Sequence, residues 1–155
     1  MCIRDRSVFW ARGGSRQTPP TASELFTGKS VAEDLATTRA NETVGYIVIE
    51  SGHGAIGGVE FEAAIGADIV RGVGNAPPYS YGYQVPFAAA PVDIVVSAAA
   101  MDGGDGGWPV AWGSPATTAS QLFLAIDEDQ IRDSERRHTT EQVAYIAFGA
   151  PLLVQ

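Results

Sequence analysis

Several clusters of side chains in this sequence have the make-up of a ligand site. The run Asp102-Gly103-Gly104-Asp105-Gly106-Gly107-Trp108 sets a large flat ring directly after two carboxylates. A carbohydrate site needs such a ring as a platform for the C–H face of a sugar, and charged or amide groups that bond paired hydroxyls. Arg137 and His138 would add donors if the fold brings them near. The competing reading makes Trp108 and Trp112 core or edge-strand aromatics and the Gly/Asp run a flexible turn, since those residues are the usual turn formers. Asp102, Asp105, Asp127, Glu128 and Asp129 together form a second cluster, of the oxygen ligands that calcium requires. Their spacing matches neither the EF-hand loop nor the nine-residue Gly/Asp repeat, and solvated loops are the plainer account.

Two further signals weaken on inspection. Gly52-His53-Gly54-Ala55-Ile56-Gly57 fits the literal Gly-x-Gly-x-x-Gly pattern. A dinucleotide fold also needs a helix next, whereas Val59-Glu60-Phe61-Glu62 alternates like a strand. Catalysis has little to work with: there are two histidines, no Gly-x-Ser-x-Gly elbow and no His-x-x-x-His pair. Glu128 and Asp129 are adjacent, so on a strand they point to opposite faces and cannot flank one glycosidic bond. No enzyme is expected.

The elements that must position these residues read as strands. Tyr79 to Phe87 places large residues at alternate positions, the period of a half-buried strand. Val92–Ala98, Trp108–Trp112, Gln121–Asp127 and Gln142–Phe148 follow, separated by turn-rich segments, which together indicate an antiparallel sandwich or barrel. The one amphipathic candidate, Glu60 to Val70, is interrupted by Gly66 and fits a hairpin equally well. The last strand is apolar on both faces, and its second face would be covered by an oligomer or inter-domain contact or by the segment before Tyr79.

An internal repeat organises the chain. Thr21-Ala22-Ser23-Glu24-Leu25-Phe26 matches Thr118-Ala119-Ser120-Gln121-Leu122-Phe123 at a separation of 97, Glu33-Asp34 matches Glu128-Asp129 at 95, and Glu42-Thr43-Val44-Gly45-Tyr46-Ile47 matches Glu141-Gln142-Val143-Ala144-Tyr145-Ile146 at 99. Three collinear blocks point to tandem copies, with length changes in the loops between them. Recurrence gives Glu42 and Glu141 a structural duty, an ion pair with Arg39 or Arg137 or a hydrogen bond that closes a loop. The expected organisation is residues 7–50 as the C-terminal part of one copy, 51–78 as a linker or hairpin, 79–149 as a complete copy and 150–155 as the start of a following segment. Residues 1–6, Met-Cys-Ile-Arg-Asp-Arg, resemble a translated library-preparation adapter and are expected to be an artefact.

From Tyr79 onward the chain resembles the H-type lectin domain, in the divergent form found in large bacterial secreted proteins. The resemblance rests on Phe87 to Pro91, the strand Val92 to Ser97, Asp102 to Trp108, Ala125 to Asp129, and Glu135 to Phe148. It implies an antiparallel sandwich of about six strands, a trimer, a secreted or cell-surface location, and galactose-type glycans held near subunit boundaries. The sugar-contacting loop it implies lies before the last strand and here holds Glu128, Asp129, Arg137 and His138. Members place an aromatic next to a histidine in that loop, where this chain has Arg137-His138.

Charge narrows the partners. Setting aside Arg4, Asp5 and Arg6 moves the formal net charge from −8 to −9, with Lys29 the single lysine. Tracking a phosphate backbone needs clustered cations, so a nucleic-acid partner is not expected. No apolar run approaches the length of a membrane span.

Overall fold

The computed structural model describes residues 7–152, so the adapter-like residues 1–6 and the last three residues of the expected following segment lie outside the description. Among the described residues there are nine strands and no α-helix: β1 (Val8–Arg12), β2 (Phe26–Ser30), β3 (Gly52–Ile56), β4 (Val59–Ile65), β5 (Tyr79–Gly82), β6 (Asp93–Ala98), β7 (Trp108–Ala111), β8 (Gln121–Asp127) and β9 (Val143–Phe148). They form three antiparallel sheets, in the orders β1-β2, β3-β4-β9-β6 and β5-β8-β7.

The two larger sheets face each other in a sandwich-like arrangement. Alternation along β8 turns Leu122, Leu124 and Ile126 inward, and alternation along β9 turns Val143, Tyr145 and Ala147 to meet them. Val70, Tyr81, Tyr83 and Phe87 complete this cluster. The hairpin β3–β4 is part of the same body. Its two-residue turn, Gly57-Gly58, has φ values of 57° and 82°, the backbone that a tight hairpin matching strand twist requires. The dinucleotide-like glycine run is therefore strand and turn, with no helix after it. β4 pairs with β9 along Phe61–Ile65 and puts Glu62 and Ala64 on the core face, so the body begins at Gly52 and not at the expected Tyr79.

The expected strand Tyr79 to Phe87 is regular only as far as Gly82. Tyr83 and Phe87 still point inward, but the backbone N–H groups of Gln84 and Val85 leave the ladder for the Glu62 carboxylate, and Val85 turns outward. The outer face of β9 is not roofed by the segment before Tyr79; β4 lies beside it in the sheet, leaving Ile146 and Phe148 half-buried and neighbouring Val95 exposed.

The hairpins β1–β2 and β7–β8 are built alike. Ahead of β2, Thr21 donates its N–H to Glu24 O (2.9 Å) while its Oγ1 accepts from Ser23 N and Glu24 N (3.3 and 3.1 Å). Ahead of β8, Thr118 repeats this with Gln121 O (2.8 Å), Ser120 N and Gln121 N (3.2 and 3.1 Å). Such side-chain bonds to the local backbone set the turn before the strand begins. Trp10 lies across Gly28, where an added Cβ would come within 2.3 Å of the indole, and packs on Ala98 and Met101 of the neighbouring body.

The segment Val44 to Ile49, which matches β9 in sequence, is irregular and makes no backbone hydrogen bond among the described residues. β9 is held by β4 on one side and β6 on the other, and nothing equivalent lies beside 44–49. A strand without neighbours is not stable by itself in water.

Leu124 has no solvent exposure and sits at the centre of the core. Leu124→Ala is expected to cost about 3 kcal/mol, read as a lower urea midpoint at constant slope; a cost under about 1 kcal/mol would place the core elsewhere.

Candidate functional site

The loop between β8 and β9 and the glycine-rich run before β7 meet around a buried imidazole. His138 has a side chain only 2% exposed and lies between two carboxylates. Its Nδ1 bonds Glu128 and its Nε2 bonds Glu141 Oε1 at 2.8 Å. Glu141 also accepts the backbone N–H groups of Asp102 (2.9 Å) and Gly103 (2.8 Å). Of the duties read from the repeat, closing a loop is the one Glu141 performs. Gly103 is required by the close approach, since a Cβ there would come within 2.1 Å of His138 Cε1. Asn75 Oδ1 accepts the His138 backbone N–H at 2.9 Å and ties the loop to the turn before β5.

Burial pushes the Glu128 carboxyl up, and the His138 bond only partly offsets it. Burial by itself lowers His138, but its bonds to Glu141 and Glu128 and their negative charge outweigh that and raise it above its ordinary value. Asp102 is also raised, by desolvation and by the nearby charges of Glu141 and Asp68.

The expected sugar contacts are therefore dispersed. His138 is interior and holds the loop instead of facing solvent. Asp102 is half-buried, with its backbone N–H on Glu141 and its carbonyl accepting from Arg16 at 3.2 Å. Arg137 is exposed beside Gly74. Asp105 is exposed, and its charge reaches Glu128. Trp108 is half-buried and borders a shallow cleft of about 400 Å³ with Ser7, Val8, Glu128, Asp129 and Gln130. Ser7, Val8 and Gln130 were not foreseen from the sequence. Only the pairing of β1 with β2 and its docking on Ala98 at the end of β6 and on Met101 bring the first two there.

The calcium candidates do not converge. Asp127 takes Arg136 at 2.6 Å, Glu128 takes His138, and Asp129 accepts the Glu33 and Ile131 N–H groups, each at 3.2 Å. Among the described residues no three acidic, His or Cys side chains are grouped as a metal site.

A second interior carboxylate, Glu62, has no exposure. It accepts from Tyr145 Oη at 2.6 Å and from Gln84 N at 2.9 Å, with His53 Nδ1 at 3.6 Å. Desolvation and the adjacent Glu62 push the Tyr145 hydroxyl far up, so it remains a donor. Tyr81 is raised to about 12 by burial.

Comparison with protein families, with curated proteins and with solved structures returns no match. The fold defines the class, which among the described residues is an all-β chain of three antiparallel sheets. Among the described residues no helix is long and apolar enough to cross a membrane.

His138, Glu128 and Asp102 all have folded values above their ordinary ones, so the native state binds more protons than the unfolded chain. Stability is then greatest below each ordinary value and falls as pH rises through the raised one. The midpoint of thermal unfolding is expected to drop between about pH 6 and 8, with His138→Asn flattening that slope. A midpoint that climbs over this interval would contradict the assignment.

Proposed function

We propose that this chain is a non-catalytic carbohydrate-binding module, lectin-like, repeated in tandem in a secreted or cell-surface protein. The observation that carries the reading is Trp108, half-exposed on a shallow cleft with the polar side chains of Asp129 and Gln130 beside it. A flat apolar ring flanked by acceptors and an amide is the chemistry that stacks on a sugar and pairs with its hydroxyls. Asp105 lies at the same end of the molecule, next in the chain to the loop that leads into Trp108. His138, Glu128 and Glu141 serve this site from beneath by fixing its two loops. Their engagement with one another speaks against acid–base chemistry, and Asp102 and Arg137 play no part in the contact. The H-type lectin resemblance agrees with this reading in its general outline, and trimer formation belongs to that resemblance alone.

The tandem part of the proposal rests on the two hairpins, whose turns are closed by the same threonine bonds. A second reading, a self-associating spacer without small ligand, is favoured by the apolar outer face of the four-stranded sheet, where Val95 is 51% and Ile65 37% exposed. Linked weak sites gain by high effective concentration, so the two readings share an architecture and differ in ligand.

On a glycan array or sugar-affinity resin, Trp108→Ala is expected to weaken retention about tenfold or more while leaving the unfolding midpoint nearly unchanged. Equal retention by wild type and variant removes Trp108 as the platform, and no retention by the wild type on any sugar favours the spacer. For the repeat, Thr21→Val and Thr118→Val should each loosen their own hairpin by about 1 kcal/mol, seen as faster amide exchange in β2 and β8 respectively. A cost at one threonine and none at the other would separate the two hairpins and sink the tandem reading.

A further inference from the structure

We infer that Val44–Ile49, together with the groove that Val44 borders, is a receptor for a β-strand followed by a glycine turn, a segment with the chemistry of residues 91–105. This deepens the tandem reading and rests on it. At the separation of 99, Arg39 stands where His138 stands, Glu42 where Glu141 stands, and Val44–Ile49 where β9 stands. In the second half of the chain those positions are engaged. β9 has β6 paired along it from Asp93 to Ala98, and the next turn gives the N–H groups of Asp102 and Gly103 to Glu141.

In the first half Arg39 holds Asp34 at 2.7 Å, while the strand counterpart stands open. Tyr46, Ile47 and Val48 are 76%, 74% and 69% exposed. The backbone of 43–50 bonds to nothing among the described residues. Glu42 receives no backbone amide and rests on Lys29 at 2.5 Å. Phe9, Thr27, Lys29, Arg39, Glu42 and Val44 border a groove of about 510 Å³ at this point.

Edge pairing supplies affinity through main-chain bonds and specificity through alternate side chains. Residues 91–105 carry both requirements: the strand Asp93–Ala98 and, four residues beyond it, two successive backbone donors at Asp102 and Gly103. The occupant follows from the repeat, since β6 and the turn after it are what pair with β9 and Glu141 in the second half. Charge disfavours a second copy of 44–49 as the occupant. Antiparallel pairing centred on Tyr46 would set Glu42 against Glu50, and like charges directly opposite are destabilising.

The test is amide exchange by mass spectrometry on the full chain, with and without a synthetic peptide of residues 91–105. Saturating peptide should slow exchange in 43–49 by about tenfold or more, as pairing protects strand amides. A scrambled peptide should do nothing. Ile47→Pro, at an exposed position whose N–H has no protein partner, should abolish the protection, and Glu42→Gln should weaken it. Unchanged exchange in 43–49 overturns the inference. So does protection that appears only on β9, or protection that rises with protein concentration alone. If the threonine variants behave alike and the peptide fails, the receptor assignment falls and the tandem reading stands; if the threonine variants diverge, the tandem reading falls first.

Discussion

Two carboxylates taken out of water govern this fold. An ionised group in the interior is tolerable only if hydrogen bonds replace its lost hydration, and the nearest abundant donors are backbone amides. Glu141 collects the Asp102 and Gly103 amides together with His138, and Glu62 collects the Gln84 amide and the Tyr145 hydroxyl. Each carboxylate therefore decides where an irregular loop must run, something the strands alone leave open. Loosening either would strand a buried charge, which costs far more than the bonds themselves contribute.

These anchors sit at opposite ends of the same layer. Glu141 precedes β9 and grips the glycine-rich run that leads into β7, whereas Glu62 lies within β4 and grips the chain as it leaves β5. β9 connects them, paired on both edges and packed on β8 through Val143, Tyr145 and Ala147. Trp108 is positioned by this frame: its backbone is fixed opposite Asp127 in the β7–β8 ladder, and the loop before it is fixed by Glu141 through Gly103.

Much of the strand content was legible because alternation is a local property. β6, β7, β8 and β9 fall within the segments read as strands, and Glu141 was read as structural because it recurs. The misplacements have physical causes that sequence periodicity does not carry. Tyr79 to Phe87 stops early because a carboxylate 22 residues before Gln84 competes for its amides. Val44–Ile49 has the pattern of a strand and no neighbours to be one. His138 was read as a surface contact because a polar loop residue is usually exposed; its burial depends on two glutamates ten residues before and three after it, and on the bare Cα of Gly103. Ser7, Val8 and Gln130 at the cleft depend on long-range pairing and had no local signature.

The seam at Trp10 has a consequence of a different kind. On the tandem reading the hairpin β1–β2 is the counterpart of β7–β8, yet its indole closes over Ala98 and Met101, and Met101 N–H bonds Arg16 O at 3.0 Å. On that reading the repeating unit and the unit that packs are out of phase. On the tandem reading, an array built this way behaves less like beads on a string than like overlapping shingles, in which cooperativity passes from neighbour to neighbour and unravelling starts from the ends. A genetic duplication or deletion would then be tolerated only in whole repeats, since any other length leaves a shingle with nothing to cover.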